Sequence, residues 1–360
     1  MSNEPPGYSG EVHVPIEAIQ IIDPNVISAL PKNTKVTKIT PHGASLWMRT
    51  ARVDAELDGK HEVFFLKVGL LVLYPHHTYQ SIMIDEATQT SSGDRAEALM
   101  KGEFTAMSSI HAVSPDFVPC PISSGSYSTL PNVYFLLCEF RNMATDRLPD
   151  IKSFPAMLAA LHVKGTSPNG KFGFPVTTYH GTTPLDHGWA DTWEEFFTTR
   201  TKKLLEMEQE SQGPNQEILE LAVPFFEKVV PRLLRPLETG GRSIKPALLH
   251  GDLWHGNVAT DIGLGRPIIF DAASFYGHNE YDLGVWRADW NEIGEPYMTE
   301  YHRHFPISEP VEDHDDRNAL YATRVNILDS ILYKEEKGYR EKVISEMRRL
   351  INKFPEGYRE

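Results

Sequence analysis

Cysteine is scarce in this sequence of 360 residues: there are two, Cys120 and Cys138, each inside an apolar run. Two are too few for a disulfide framework and fit a reducing compartment. Positive charge is also short. Lys and Arg number 35 against 49 Asp and Glu, a net charge of −14. That balance argues against nucleic acid or an anionic membrane as the main partner. No apolar run approaches the ~20 residues of a membrane span, and Met1–Gly10 lacks the basic and apolar regions of a signal peptide. A cytoplasmic chain with a loose, Pro/Gly-rich start is expected. There is no internal repeat, no zinc-ligand cluster and no Gly-x-Ser-x-Gly nucleophile motif. What remains is ordinary for a globular protein, 41% hydrophobic and 23% charged, and long enough for two lobes and a large core.

Chemistry concentrates between His250 and Asp271. The segment reads His250-Gly251-Asp252-Leu253-Trp254-His255-Gly256-Asn257, and a later apolar run, Ile268-Ile269-Phe270, ends in Asp271. A carboxylate, an amide and a second carboxylate at this spacing are the parts of a kinase-type phosphoryl-transfer site. Such transfer needs in-line positioning and neutralisation of phosphate charge rather than covalent chemistry. Asp252 is expected to orient or accept the proton of an acceptor hydroxyl. Asn257 and Asp271 offer the oxygen ligands that a hard magnesium ion takes, holding it against the phosphates of ATP. Val258–Thr260, a turn centred on Gly265 and Pro267–Phe270 read as a hairpin that returns Asp271 to Asn257. Loop Asp and Asn residues that merely cap turns are common. The full pattern, followed by an apolar strand ending in Asp, is far more specific.

Upstream, residues 12 to 30 carry Ile16, Ile19, Ile22, Ile27 and Leu30 and read as a short helical preface. Val36–Thr40, a turn over Pro41–Ser45 and Leu46–Val53 read as strand–turn–strand, the position of a nucleotide-covering loop. Gly43 there lets backbone amides approach phosphate, with Ser45 beside it. His61–Leu70 is an apolar strand with one central cation, Lys67, which is costly to bury unless paired. A snorkelling edge lysine is the bland reading. The functional one pairs Lys67 with the α- and β-phosphates of ATP and with a helix glutamate. Glu103, in the helical pattern Ala96–Ile110, is the candidate partner. Residues 71 to 95 read as a polar-ended connection. Phe117–Ser123 and Asn132–Phe140 read as the last strands of the small lobe. Their end, Glu139-Phe140-Arg141, is the expected hinge, where backbone groups bond the adenine edge.

Ser153–Val163 reads as an apolar helix with His162 packed in the core. Trp189, Trp193, Phe196 and Phe197 fall at helical spacing and read as lobe core. Residues 214 to 238 read as one long amphipathic helix. Glu280–Trp290 reads as a helix whose Asp282 braces the catalytic loop. The acidic run Glu309–Asp316 reads as a solvated loop. Tyr297–Phe305, Ala319–Leu332 and Val343–Ile351 read as closing helices.

His250–Asn257, together with Asp271-Ala272-Ala273-Ser274-Phe275-Tyr276-Gly277-His278-Asn279-Glu280, resembles the fructosamine kinase (ketosamine-3-kinase, protein-ribulosamine 3-kinase) family. That family belongs to a larger group with the aminoglycoside and choline kinases. The resemblance runs from about residue 36 to about residue 352. It implies transfer of phosphate, using ATP and magnesium, to O3 of a ketosamine, either a small molecule or a glycated protein lysine. The labile sugar phosphate would then leave, and the protein would be deglycated. The resemblance also implies that Gly102-Glu103 supplies the partner of Lys67, and Gly170–Phe174 with Gly181 match a family loop. Departures lie where the acceptor is expected. The family's Gln-x-Asn is replaced by Leu185-Asp186-His187, and Arg200 is out of register. The covering loop is also poorer in glycine than is usual. Trp254, His187 and His255 are the candidate acceptor residues. Trp254 offers a flat wall for sugar C–H faces and a ring face for a cationic amine.

The expected architecture is α/β (α+β): a two-lobed protein-kinase-like fold with a small antiparallel-sheet lobe and a larger, mainly helical lobe. Residues 1–141 would form the small lobe with its N-terminal extension, and 142–360 the helical lobe with catalytic loop and acceptor site. The nucleotide would lie between them. A monomer is expected. Two rivals stay open. One is a kinase of another alcohol, such as an aminoglycoside, a choline-like alcohol or a metabolite sugar. The other is a nucleotide-binding pseudokinase, against which the joint presence of Lys67, Asp252, Asn257 and Asp271 argues.

Overall fold

The computed structural model describes residues 14–43, 48–70 and 92–359. They fall into two units. One holds the chain up to Thr105 together with Pro119–Arg141; the other holds Ala106–Val118 and everything from Asn142 onward.

The smaller unit is built on strands β1 (Thr34–Pro41), β2 (Arg49–Leu57), β3 (Lys60–Leu70), β4 (Pro121–Ser126) and β5 (Val133–Glu139). They pair antiparallel in the order β1-β2-β3-β5-β4. The N-terminal preface is a 3₁₀ turn, Ile16–Ile19, followed by the short helix α1 (Pro24–Ala29). Asp23 caps α1 and also accepts from the amides of Ser128 and Thr129 between β4 and β5. Burial pushes the Asp23 carboxyl up, but those hydrogen bonds outweigh it and hold it at about 2.

Alternation sorts β3 into two faces. Phe64, Leu66 and Val68 share a core with Val53, Phe135, Leu137 and the preface residues Ala18, Ile19 and Val26. Lys67 and Gly69 fall on the opposite face, against helix α2 (Ser92–Val113). A Cβ on Gly69 would stand 2.6 Å from the Met100 methyl, so a bare backbone lets the helix close on the strand. Ala96, Met100, Glu103, Met107 and Ile110, spaced at three and four, form the buried stripe of α2.

The larger unit has short strands: β6 (Met143–Ala144), β7 (Phe172–Gly173), β8 (Thr178–His180), β9 (Thr183–Leu185), β10 (Trp189–Ala190), β11 (Ala247–Leu249), β12 (Val258–Asp261), β13 (Arg266–Ile269) and β14 (Phe275–Gly277). They make the sheets β10-β7-β14-β11 and β13-β12-β6 and the hairpin β8-β9. Its helices are α3 (Ser153–Lys164), α4 (Trp193–Gln212), α5 (Gln216–Pro224), α6 (Val230–Leu234), α7 (Glu295–His304), α8 (His314–Leu332) and α9 (Lys337–Lys353). Trp193 anchors the core. It stacks on Phe196 at 5.5 Å, and its Nε1 donates to the Tyr321 hydroxyl at 2.9 Å. Trp189 does not join that stripe. It pairs with Gly173 in β10, before Thr192 caps α4, and is 38% exposed.

Three other expectations change. Residues 214–238 are not one regular helix: α5 passes into a π-helical turn, Phe225–Val229, then α6, then a 3₁₀ turn, Arg235–Glu238. Pro224 at the junction lacks an N–H and crowds the carbonyl four residues back, which a π-turn absorbs. Asn279–Arg287 winds as a 3₁₀ helix. The acidic run before α8 is not simply solvated. Asp313 is buried and paired with Arg232, and Asp316 is buried and paired with Arg349 and Lys353. No helix among the described residues is long and apolar enough to cross a membrane.

Candidate phosphotransfer site

In the smaller unit Lys67 meets Glu103. The Lys67 ammonium lies 2.9 and 2.8 Å from the two carboxylate oxygens, and the residues are 6% and 9% exposed. β3 places the cation on the α2 face, and the α2 stripe supplies the acid one turn beyond Met100. Gly43, just past β1, has φ +77°. The base of its loop is closed by the His42 amide donating to the Thr50 carbonyl at 3.0 Å and by the Thr50 hydroxyl donating to the His42 carbonyl. Ser45 lies outside the described residues.

At the end of β5 the structure alters the expected hinge. The Glu139 amide donates to the Cys120 carbonyl at 2.8 Å and the Phe140 amide to the Val63 carbonyl at 3.2 Å. Both N–H groups are therefore committed to neighbouring backbone rather than open to a ligand. The Glu139 carboxylate pairs with Arg141 at 2.9 Å. The Phe140 ring lies 5.0 Å from the His42 ring and 5.0 Å from the Arg52 guanidinium.

In the larger unit the segment after β11 forms a tightly tied loop. Gly251 has φ +85°, and a Cβ there would stand 2.3 Å from the Ala273 carbonyl oxygen, so only glycine fits. Asp282 braces the loop as expected. It accepts from the amides of His250 at 2.7 Å and Gly251 at 2.8 Å, and from Nε2 of the buried His162 at 3.1 Å. His250 donates from Nε2 to the Phe270 carbonyl at 2.9 Å and accepts the Asp252 amide on Nδ1 at 3.3 Å. Asn257 donates from Nδ2 to the Asp252 carbonyl at 2.8 Å and to its carboxylate at 3.1 Å. The Asp252 side chain is thus fixed, with its amide carbonyl neighbour left as an oxygen donor on Asn257.

The predicted hairpin is present: Val258 pairs with Ile269, and Asp261 with Arg266, around Gly265 at φ +62°. The Phe270 amide donates to the Asn257 carbonyl at 3.1 Å, which brings Asp271 beside Asn257. Asp271 is exposed and adopts φ +56°, a conformation that non-glycine residues enter rarely and often at functional sites.

The acceptor candidates divide. Trp254 is half-buried, edge-on to His255 at 4.9 Å and to Trp290 at 5.9 Å, and its ring covers Gly256, where a Cβ would stand 2.2 Å from it. His255 is held by Asn291, whose Oδ1 accepts from the His255 amide at 3.0 Å and lies 2.9 Å from Nδ1. His187 is corrected. It is 1% exposed, stacked on Phe275 at 4.9 Å, with Nε2 at 2.7 Å from the Thr178 hydroxyl. Burial, with the charges of Arg324 and Arg200, pushes its imidazole well below its usual range. It is a neutral core residue rather than an acceptor contact.

Sequence reasoning missed His180, whose Nδ1 lies 3.3 Å from the Asp252 carboxylate, though without hydrogen-bond alignment. Its signal was a His-Gly pair at a hairpin tip, since Gly181 takes φ +57° between β8 and β9. It also missed Asp329 on α8, a lone acid in the apolar run Ile327–Leu332.

Against this geometry, the family model described as fructosamine kinase matches residues 88–353. The chain belongs to the fructosamine kinase family. Among its relatives, the chloroplastic protein-ribulosamine 3-kinase of Arabidopsis thaliana is 30% identical over 62% of this chain and 65% of its own length. The ketosamine-3-kinase of Mus musculus is 41% identical over 38% of this chain and 41% of its own length. The matched part is therefore under two thirds of either relative. A solved structure named for a fructosamine-3-kinase, from Thermobifida fusca, superposes with a TM-score of 0.64 at 20% identity, covering 88% of this chain and 94% of that one. That agreement shows the two-lobed kinase-like fold in this fructosamine kinase family member.

Proposed function

We propose that this chain is an ATP-dependent phosphotransferase acting on O3 of ketosamines such as fructosyl- or ribosyl-lysine, free or on glycated proteins, and so leading to deglycation. One observation carries the reading: the Asp252 carboxylate is fixed by Asn257, the loop beneath it is fixed by Asp282, and the hairpin sets Asp271 beside Asn257. The ketosamine acceptor is supported by family membership and by the names of the relatives.

Asp252 accepts the proton of the acceptor hydroxyl as its oxygen attacks the γ-phosphoryl group, and ADP leaves. Asn257 and Asp271 form an all-oxygen donor pair that fits magnesium, which when bound would neutralise phosphate charge. Lys67, oriented by Glu103, binds the α- and β-phosphates, and Gly43 lets the covering loop approach them. Trp254 forms an apolar wall for the sugar. The test is incubation with ATP, magnesium and ribosyl-lysine, with the phosphorylated product identified by NMR. Turnover of kanamycin or choline with no turnover of any ketosamine would overturn the substrate and leave the phosphotransferase.

A further inference from the structure

The tip of the β8–β9 hairpin carries a histidine that the proposed chemistry does not use. Thr178 pairs with Leu185 and His180 with Thr183, and Gly181, at φ +57°, turns the chain between them. His180 is therefore the last paired residue of β8, held by the turn rather than carried on a loop. Thr178 ties the strand to the catalytic loop. It is fully buried, and its hydroxyl lies 2.7 Å from Nε2 of His187 and donates to the Ala273 carbonyl at 3.2 Å. The Ala273 amide in turn donates to the His250 carbonyl at 2.9 Å. Side chains two apart on a strand share a face. His180 follows Thr178 onto that loop, and its Nδ1 comes to 3.3 Å from Oδ1 of Asp252.

The two oxygens of the Asp252 carboxylate thus face different elements. Oδ2 accepts from Asn257 at 3.1 Å, within the loop, and Oδ1 faces the hairpin. Nδ1 of His180 is buried, yet it is out of line with Oδ1 and has no hydrogen-bond partner. Buried polar atoms are as a rule satisfied. Other buried histidines of this unit obey. His162 reaches the Tyr301 hydroxyl at 2.8 Å and Asp282 at 3.1 Å, and His278 reaches the Tyr321 and Ser308 hydroxyls, both at 2.8 Å. The packing does not call for a nitrogen here either: Leu253, Val285, Val325 and Leu328 join His180 and Asp252 around a cavity of about 10 Å³, room for roughly one water.

We propose that His180 is a specificity residue: its Nδ1–H donates to the acceptor oxygen next to the one that reacts, so the site selects vicinal oxygen pairs. The inference rests on the phosphotransferase reading, in which Asp252 holds the reacting hydroxyl. An oxygen on the adjacent carbon falls within reach of a nitrogen 3.3 Å from that same carboxylate. One acceptor then answers both groups, its hydroxyl donating to Oδ1 and the neighbouring oxygen accepting from Nδ1. A ketosamine offers such an oxygen on either side of O3, the carbonyl O2 and the hydroxyl O4. An alcohol with a lone hydroxyl, such as choline, leaves the buried donor unpaired, and that penalty is how a polar site rejects an analogue.

The test compares kcat/KM for ribosyl-lysine with that for analogues lacking O2 or lacking O4. In wild type, loss of the contacted oxygen should cost ~10-fold or more, the worth of roughly one hydrogen bond. His180→Phe should lose that discrimination and leave the KM for ATP unchanged. His180→Asn, whose amide nitrogen stands near the place of Nδ1, should keep it. Because Nδ1 bonds to nothing in the fold, His180→Phe should unfold at the urea midpoint of wild type. A wild type that treats all three acceptors alike would mean that water satisfies Nδ1, and would overturn the inference. A His180→Phe variant that is less stable but discriminates as wild type does would show a structural residue and overturn it too. A wild type that turns over none of the three would instead remove the phosphotransferase reading, and the inference with it.

Discussion

Replacing Glu103 by Leu would strip the Lys67 ammonium of two carboxylate contacts, at 2.9 and 2.8 Å, while leaving it 6% exposed. Breaking a buried ion pair from one side typically costs ~3–5 kcal/mol, because the remaining charge loses its paired carboxylate. Against a typical total stability of ~5–15 kcal/mol, the smaller unit should unfold at markedly lower urea. The double variant Lys67→Met/Glu103→Leu removes both charges and fills the site beneath Met100 and Gly69 with apolar chains of similar reach. Such replacement is often neutral or stabilising. The double variant should therefore recover most of the lost stability, a coupling of ~3 kcal/mol between the two positions. Nucleotide binding should not recover, since the proposed phosphate contact is the ammonium itself. Urea unfolding followed by circular dichroism gives the first quantity and titration with a fluorescent ATP analogue gives the second. A double variant as unstable as Glu103→Leu would refute the energetic reasoning, and one that binds ATP normally would refute the role of Lys67.

Further outcomes follow from the same geometry. Gly251→Ala should destabilise the catalytic loop by more than ~2 kcal/mol, because left-handed backbone strain adds to a Cβ 2.3 Å from the Ala273 oxygen; normal stability and turnover would contradict that. Acid should weaken the larger unit. Burial pushes His278 down to about 4, while at Glu280 burial is outweighed by His278 and Arg317, which hold it at about 2. The unfolded chain titrates these groups near ~6.5 and ~4.3 and so binds more protons, and stability should fall as pH drops from about 6.5 to about 2. Urea midpoints that stay flat across that range would contradict it. Trp254→Ala should raise the KM for the ketosamine more than that for ATP, as steady-state kinetics would show. Activity should not depend on reductant through the covering loop, since residues 41 to 45 hold no cysteine; loss under mild oxidant with rescue by reductant would point to Cys120 or Cys138.

Much of the site was legible because it is local in sequence. The Asp252 to Asn257 spacing and the hairpin to Asp271 are short-range features, and a single lysine in an apolar strand marked Lys67, while the family resemblance, through Gly102-Glu103, pointed to Glu103 as its partner. What was not legible depends on long-range packing. His187 occupies the acceptor segment in sequence, yet Phe275 and Phe196 enclose it. The Glu139 and Phe140 amides looked free for a ligand until strand neighbours claimed them. Asp313 and Asp316 gain their partners only when Arg232, Arg349 and Lys353 arrive from distant helices. Pro224 was visible in the sequence, but the π-turn that accommodates it was not.

The most direct measurement is the turnover of ribosyl-lysine by Asp252→Asn beside wild type. Wild type should yield ADP and the O3-phosphorylated ketosamine. The variant should fold and bind ATP as wild type does while its kcat falls by ~10²–10⁴-fold, the usual cost of removing a general base. A kcat near that of wild type would contradict the account.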